Sequence, residues 1–133
     1  MHQTLFDNLN RNYNETHENK SSVSIPVDNF SLNAYLYLPE QPAALVIFSH
    51  GSGSSRFSAR NNYVAEVLYR NNMAALLADL LTPHEDGAIQ NRFNISLLTE
   101  RLKQITQWAV QYQPLKNLPV GYFGASTGAD SAL

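Results

Sequence analysis

Three apolar runs without polar alternation constrain what this chain can fold into more than any other feature of its sequence. They span Ala43 to Phe48, Met73 to Leu81 and Val120 to Phe123, and Asp79 is the one charged residue within them. Apolar runs of this kind are typical of strands that are buried on both faces, and such strands are usually parallel and covered by helices. The sequence therefore predicts a largely buried, parallel sheet.

Two segments with helical spacing of apolar residues separate the runs. They extend from Tyr63 to Leu68 and from Leu98 to Tyr112. Asn94 or Ser96 is a candidate N-cap for the second helix, because a side-chain oxygen there can accept a free backbone N–H. Strands and helices therefore alternate along this part of the chain, as they do in a doubly wound fold.

Two shorter segments ahead of the runs, residues 23–27 and 32–38, alternate apolar and polar side chains. Asp28-Asn29 between them is a turn signal, so we expect an antiparallel hairpin with one wetter face. Pro26 cannot donate a backbone hydrogen bond, which predicts that the first strand lies at a sheet edge.

The fold class predicted from these elements is α/β, with a doubly wound, mostly parallel sheet and an N-terminal antiparallel hairpin. Residues 1–22 are predicted to form a polar N-terminal arm, and residues 23–133 are predicted to form the domain. A length of 133 residues is enough for one domain and little more.

Composition argues against several classes of function. The chain has no cysteine, which excludes disulfides, thiolate metal sites and a cysteine nucleophile. Its nine Lys and Arg are scattered and its net charge is −2, so a nucleic-acid partner is not expected. A signal-peptide pattern and an apolar run of the ~20 residues of a membrane span are both absent from the sequence. We expect a cytoplasmic protein with no membrane partner, no cofactor and no metal.

The strongest chemical signal is the sequence GASTG at residues 124–128. As a bare G-x-S-x-G pattern it is weakly specific, but it directly follows a predicted strand, and residues 129–133 can open a helix. In such a sharp strand-to-helix turn, the small residues Gly124 and Gly128 avoid a clash, and the Ser126 hydroxyl stands clear of the sheet. The pattern predicts that Ser126 is a catalytic nucleophile. The alternative is a plain glycine-rich turn of a doubly wound fold.

A second glycine-rich segment, HGSGSS at residues 50–55, follows the first apolar run. Small residues such as Gly51 and Gly53 let a backbone bend tightly and aim its N–H groups at a ligand. In a hydrolase such a loop supplies one half of the oxyanion hole, and the N–H after the nucleophile, here that of Thr127, supplies the other. The alternative is a phosphate-binding loop, although the sequence completes neither G-x-G-x-x-G nor a P-loop.

The chain resembles the dienelactone hydrolase-like branch of the α/β-hydrolase superfamily in three segments, IFSHGSGSSRFSARN, AALLADLLTPHED and LPVGYFGASTGA. The resemblance covers about residues 23–133 and implies an eight-stranded, mostly parallel sheet with the nucleophile after its fifth strand. It implies that Ser126 is this nucleophile and that the backbone N–H groups of Ser52 and Thr127 form the oxyanion hole. It also implies that His50 holds its loop through hydrogen bonds. Dienelactone hydrolases proper carry cysteine as the nucleophile, so serine here implies esterase or lipase-like chemistry.

The chain departs from this family in its catalytic triad. In these enzymes an Asp or Glu and then a His follow the nucleophile, whereas the seven residues after Ser126 include no His. We therefore expect the N-terminal portion of an α/β-hydrolase domain, truncated after the nucleophile elbow and inactive as a 133-residue chain. A dyad of Ser126 with His50 or His84 is a weaker alternative, judged by the reach of a general base.

Two charged residues lie near the predicted site. Arg56 follows the glycine loop and is a candidate contact for a substrate carboxylate or phosphate, although the preferred interpretation is that it is solvated or pairs with a nearby acid. Asp79 lies near the end of a buried strand, where sites form in such sheets, and it is a candidate acceptor for N–H groups of the glycine loop.

The leading hypothesis is a serine hydrolase that cleaves a small-molecule ester or lactone through an acyl-Ser126 intermediate. A non-catalytic truncated protein or pseudoenzyme is one alternative. A phosphate-binding α/β module that uses residues 51–55 is another. Self-association through an exposed edge of the last predicted strand, residues 119–124, is also expected.

Overall fold

A computed structural model of the chain describes residues 19–49 and 55–124. The strands in these ranges are β1 (Lys20–Val27), β2 (Phe30–Tyr37), β3 (Leu45–Ser49), β4 (Ala74–Ala78) and β5 (Val120–Gly124). The helices are α1 (Ala59–Arg70), the single turn α2 (Pro83–Asp86) and α3 (Ile95–Gln111). Short 3-10 segments lie at Ser55–Phe57, Ile89–Phe93 and Gln113–Leu115. None of the helices in the described ranges combines the length and apolar character needed to cross a bilayer.

The five strands form one mixed sheet in the order β1-β2-β4-β3-β5. β2 pairs antiparallel with both β1 and β4, while β3 lies between β4 and β5 and pairs parallel with each. The predicted α/β architecture, a doubly wound sheet with an N-terminal antiparallel hairpin, is confirmed. β5 is the last strand of the described sheet. Self-association through its outer edge stays a prediction.

The β1–β2 hairpin turns at Asp28-Asn29, as the sequence predicts. Val27 pairs with Phe30 across this turn, and Asp28 has a φ of 45°, a left-handed conformation that Asp adopts more readily than most residues. Pro26 lies in β1, which is an edge strand of the described sheet, as the sequence predicts. At an edge, the lack of a backbone N–H does not remove a hydrogen bond between two inner strands.

Each face of the sheet is covered by one of the two long helices. Leu76 and Leu77 are neighbours in β4, and they belong to the cores under α3 and α1 respectively, because successive strand residues point to opposite faces. All five residues of β4 are buried, which explains why its sequence does not alternate. The larger core, under α3, includes Ile25, Leu32, Leu36, Ile47, Leu98, Leu102 and Ile105.

α1 covers the predicted helical segment but turns a different face toward the sheet. Ala65 is fully buried, whereas Tyr63 and Val67 are 70% and 42% exposed. Asn62 points inward instead and accepts a hydrogen bond from the Tyr37 hydroxyl at 2.5 Å. A polar tertiary contact therefore decides which face of α1 is buried, and the spacing of apolar residues does not reveal it.

α3 begins directly after Asn94, whose Oδ1 accepts the backbone N–H of Leu97 at 3.1 Å. Of the two N-cap candidates in the sequence, the structure therefore identifies Asn94. Ser96 lies within the first turn of the helix and is exposed.

Replacing Asn94 with alanine is expected to lower the free energy of unfolding by about 1 kcal/mol, because the N–H of Leu97 loses its acceptor. Urea unfolding measures the change. The control is Ser96→Ala, which removes an exposed hydroxyl from the same turn and is expected to cost less than about 0.5 kcal/mol. Equal losses in the two variants would contradict the cap assignment.

Candidate active site

The carboxyl ends of β3 and β5 meet at one edge of the sheet. These strands are parallel neighbours, and their last residues, Ser49 and Gly124, are paired in register. One step earlier in each strand, the rings of Phe48 and Phe123 contact each other with centroids 5.0 Å apart. The two strand ends that precede or begin the glycine-rich segments in the sequence therefore lie side by side.

Most residues of the predicted site lie outside the described part of the chain. They are His50, Gly51, Ser52, Gly53, Ser126, Thr127 and Gly128. Their roles stay predictions. Two predicted site residues, Gly124 and Arg56, lie within the described ranges, at the end of β5 and just before α1.

Arg56 pairs with Asp79, the residue that follows β4. Its Nε donates to Asp79 Oδ2 at 2.9 Å, and its backbone N–H donates to Asp79 Oδ1 at 3.0 Å. Both side chains are largely buried, with 19% of Arg56 and 8% of Asp79 exposed. Of the two interpretations preferred for Arg56, solvation or pairing with a nearby acid, the structure shows the pairing, and a contact with a substrate anion stays a prediction.

The Asp79 carboxylate occupies an unfavourable environment for a charge. Burial raises the pKa of Asp79, and the hydrogen bonds and positive charge of Arg56 only partly oppose this rise. A buried ion pair of this kind is weak evidence of a gain in stability. The cost of removing two charges from water can equal or exceed the energy of their attraction. A perturbed carboxylate at the carboxyl edge of a sheet is instead a candidate functional position.

The Arg56 guanidinium also lies against two aromatic rings. Its Cζ is 4.0 Å from the ring centroid of Phe57 and 5.2 Å from that of Tyr35, within the range of cation–π attraction. The two rings contact each other edge to face with centroids 6.0 Å apart. Lys20 Nζ lies 4.4 Å from the centroid of the same Tyr35 ring. The ion pair and the rings together restrict where the Arg56 side chain can lie.

Asn62 joins this group of residues, although the sequence does not indicate it. Its Nδ2 donates to the backbone oxygens of Arg56 and Ser58, both at 2.8 Å. Its Oδ1 accepts hydrogen bonds from the Tyr37 hydroxyl and from Lys20 Nζ at 3.3 Å. Burial raises the pKa of Tyr37 and lowers that of Lys20. The one signal in the sequence is an asparagine in the first turn of a helix, which is too common to indicate a site.

Arginine side chains engage the acidic residues that follow β4. Arg101 Nη1 and Nη2 donate to the two carboxylate oxygens of Glu85 at 2.7 and 2.5 Å, and these hydrogen bonds lower the pKa of Glu85 to about 2. Arg92 Nε donates to Asp86 Oδ1 at 3.0 Å. Among the residues that the structure describes, no three His, Cys, Asp or Glu are grouped so as to hold a metal ion.

No protein-family model matches the chain. Two proteins from strains of Mycobacterium tuberculosis, each named "Putative phosphoribosyl transferase", are 54% identical to it over 99 residues. The match covers 74% of this chain and 22% of each M. tuberculosis protein. The chain therefore spans about a fifth of the length of the curated relatives that it matches.

Solved structures resemble the chain over most of its length. Dienelactone hydrolase from Anabaena variabilis superposes with a TM-score of 0.79 and is 44% identical, over 85% of this chain and 54% of that chain. Est1E from Butyrivibrio proteoclasticus has a TM-score of 0.64 at 22% identity, over 83% of this chain and 42% of its own. The hydrolase GrgF from Penicillium sp. sh18 has a TM-score of 0.68 at 18% identity, over 84% and 39%. The last two likenesses concern the fold alone.

Proposed function

Because the chain has the α/β-hydrolase fold and is similar to a dienelactone hydrolase, we propose that it carries the nucleophile of a serine hydrolase, Ser126. The substrate class is a small carboxylic ester or lactone. The relationship to dienelactone hydrolase, at 44% identity over most of this chain, supports the reaction type. Serine in G-x-S-x-G supports an acyl-serine route.

The pairing of Ser49 with Gly124 is the observation that carries this proposal. A nucleophile and an oxyanion donor must both come within about 3 Å of the atoms of one substrate carbonyl. Neighbouring strands lie about 4.8 Å apart, so two loops that leave adjacent strand ends can reach the same carbonyl. The shared edge of β3 and β5 therefore supports a joint role for the two glycine-rich segments.

In the proposed reaction, Ser126 Oγ attacks the carbonyl carbon and gives its proton to a general base. The carbonyl oxygen becomes negative and accepts hydrogen bonds from the backbone N–H groups of Ser52 and Thr127. The bond to the alcohol oxygen then breaks, the alcohol takes the proton from the base, and an acyl-Ser126 ester remains. Water attacks this ester, which releases the carboxylic acid and restores the Ser126 hydroxyl.

The general base and its acidic partner are proposed to follow residue 133 in the full-length gene product. Asp130 is the one carboxylate among the residues after Ser126, and a carboxylate does not replace the imidazole that takes the serine proton. A reading frame that continues and encodes an Asp or Glu and then a His would support the proposal. A frame that stops after residue 133 would favour the non-catalytic alternative.

A phosphate-binding module is the second candidate, and the name of the M. tuberculosis relatives favours it. The loop at residues 51–55 would then bind a phosphate through its backbone N–H groups. Weighing against this candidate, the chain matches only 22% of the length of those relatives, so their name describes a much longer protein. Saturable binding of a phosphate ester by a protein that hydrolyses no ester would favour it.

The full-length gene product is expected to react covalently with a fluorophosphonate probe at Ser126, because an activated serine attacks phosphorus as it attacks a carbonyl. Intact-mass and peptide mass spectrometry measure the adduct. Ser126→Ala is expected to abolish both the adduct and p-nitrophenyl acetate hydrolysis. Ser96→Ala, which removes an exposed serine on α3, is expected to change neither. Undiminished hydrolysis by Ser126→Ala would overturn the proposed function.

A further inference from the structure

The backbone of Arg56 is held at both its polar groups by side chains from two other elements. Its N–H donates to Asp79 Oδ1 at 3.0 Å, and its carbonyl oxygen accepts from Asn62 Nδ2 at 2.8 Å. Asp79 directly follows β4, and Asn62 lies in the first turn of α1. The position of the Arg56 backbone is therefore set by side chains of other elements as well as by its own 3-10 turn.

The two anchoring side chains are themselves held firmly. Both Asp79 oxygens are used by Arg56, one by the backbone and one by the guanidinium. Asn62 also donates to the Ser58 carbonyl and accepts from Tyr37, so it reaches β2 as well as α1. An amide group has two donor hydrogens and one acceptor oxygen, and Asn62 uses all of them. Neither anchor can move without breaking several hydrogen bonds.

Arg56 lies four residues after Ser52, at the point where the glycine loop rejoins regular structure. Ser49, the last residue of β3, fixes the other side of the loop through its register with Gly124. Backbone donors of an oxyanion hole have to be preorganised within about 0.5 Å of their working position. Glycine is conformationally permissive, so firmly held residues that flank a glycine-rich segment can help to supply that precision.

We propose that Asp79 and Asn62 are positioning residues that hold Arg56, and with it the loop at residues 50–55, for the oxyanion step. This inference rests on the proposed function. It gives a reason for a charged pair at the buried end of β4, where well-packed apolar residues could give the fold as much stability. It also gives the Arg56 guanidinium a role, because its hydrogen bond to Oδ2 orients the Asp79 carboxylate whose Oδ1 accepts the Arg56 N–H.

The test uses two substitutions at Asp79 in the full-length gene product. Asp79→Leu removes both acceptors and is expected to lower kcat for p-nitrophenyl acetate about 100-fold, with KM changed less than about threefold, because the oxyanion contact strengthens only in the transition state. Asp79→Asn keeps one acceptor oxygen for the Arg56 N–H and is expected to retain more activity. A purely structural role would lower thermal stability and leave the kcat of the folded enzyme unchanged.

Glu66→Gln is the matched control. Glu66 also pairs with an arginine, Arg70, and its side chain is 8% exposed, as that of Asp79 is, but the pair lies toward the far end of α1. This variant is expected to leave kcat within about twofold of the parent, whatever its effect on thermal unfolding. Asn62→Asp, which keeps the acceptor for Tyr37 but loses the donor to Arg56, is expected to lower kcat in the same direction as Asp79→Asn.

Amide hydrogen exchange separates this inference from the proposed function. In Asp79→Leu, peptides covering residues 50–56 are expected to exchange about tenfold faster or more, and in Glu66→Gln they are expected to be unchanged. Unchanged exchange in Asp79→Leu, or unchanged kcat in an enzyme that depends on Ser126, would overturn the inference. Full hydrolysis by Ser126→Ala would overturn the proposed function, and the exchange of these peptides would still decide the anchoring.

Discussion

The 133-residue chain is expected to hydrolyse p-nitrophenyl acetate no faster than its own Ser126→Ala variant. The 133-residue chain contains no His after Ser126, so the proposed nucleophile lacks a general base in the usual order along the chain. Loss of the base from a Ser-His-acid unit lowers turnover by about 10⁶. Initial rates of the purified chain and the variant, corrected for spontaneous hydrolysis, measure the difference.

A longer product of the same reading frame, which the proposed function requires, is the positive control for this measurement. A Ser126-dependent rate in the 133-residue chain would contradict the expectation and point to an unusual base. His84 and His50 are then the residues to replace. His84 is the second residue of α2, two positions after the Thr82 N-cap, whereas His50 lies outside the described residues. Loss of the rate in one of the two histidine variants would identify the base.

Replacing Glu85 with glutamine is expected to lower the free energy of unfolding by about 3 kcal/mol at pH 7, because Arg101 is left buried without its counter-charge. The Arg101 side chain is 7% exposed, and its Nη1 also donates to the Leu80 carbonyl at 3.1 Å. Glutamine keeps the capping-box acceptor for the Thr82 N–H, so the change isolates the ion pair. Urea unfolding of the purified protein measures the loss.

The pH dependence gives this prediction a second, independent check. The pKa of Glu85 is lowered to about 2 in the folded protein, against about 4.3 when unfolded, so the ion pair contributes its full stability above about pH 4.3. This contribution is lost as the pH falls toward 2, and the parent and Glu85→Gln are expected to converge there.

A more exposed ion pair in the same segment supplies the control. The Arg92 and Asp86 side chains are 36% and 23% exposed, so Asp86→Asn is expected to cost less than about 1 kcal/mol. If Glu85→Gln lowers the free energy of unfolding no more than Asp86→Asn does, the burial of the Arg101 pair does not make it more stabilising than the exposed pair.

The sequence alone predicted the order of elements because their signals are local. Continuous apolar runs predicted β3, β4 and β5, and alternation with a two-residue turn predicted the β1–β2 hairpin. The single turn α2 also has a local signal in the sequence, because Thr82 and Glu85 form the S/T-x-x-E capping pattern with Pro83 between them. Such patterns predict secondary structure correctly because the conformation of each element depends mainly on its own residues and their near neighbours in the sequence.

What the sequence could not determine were contacts between elements distant along the chain. The ion pair of Arg56 with Asp79 joins residues 23 positions apart, and the ion pair of Arg101 with Glu85 joins residues 16 positions apart. The inward turn of Asn62, which exposes Tyr63, depends in the same way on a hydroxyl in β2. Single charged or amide side chains carry no periodicity, so only the packing of α1, β2 and β4 decides which of them meet. The sequence by itself therefore determined the sheet and the candidate nucleophile, whereas the tertiary structure decided which polar residues meet around Arg56.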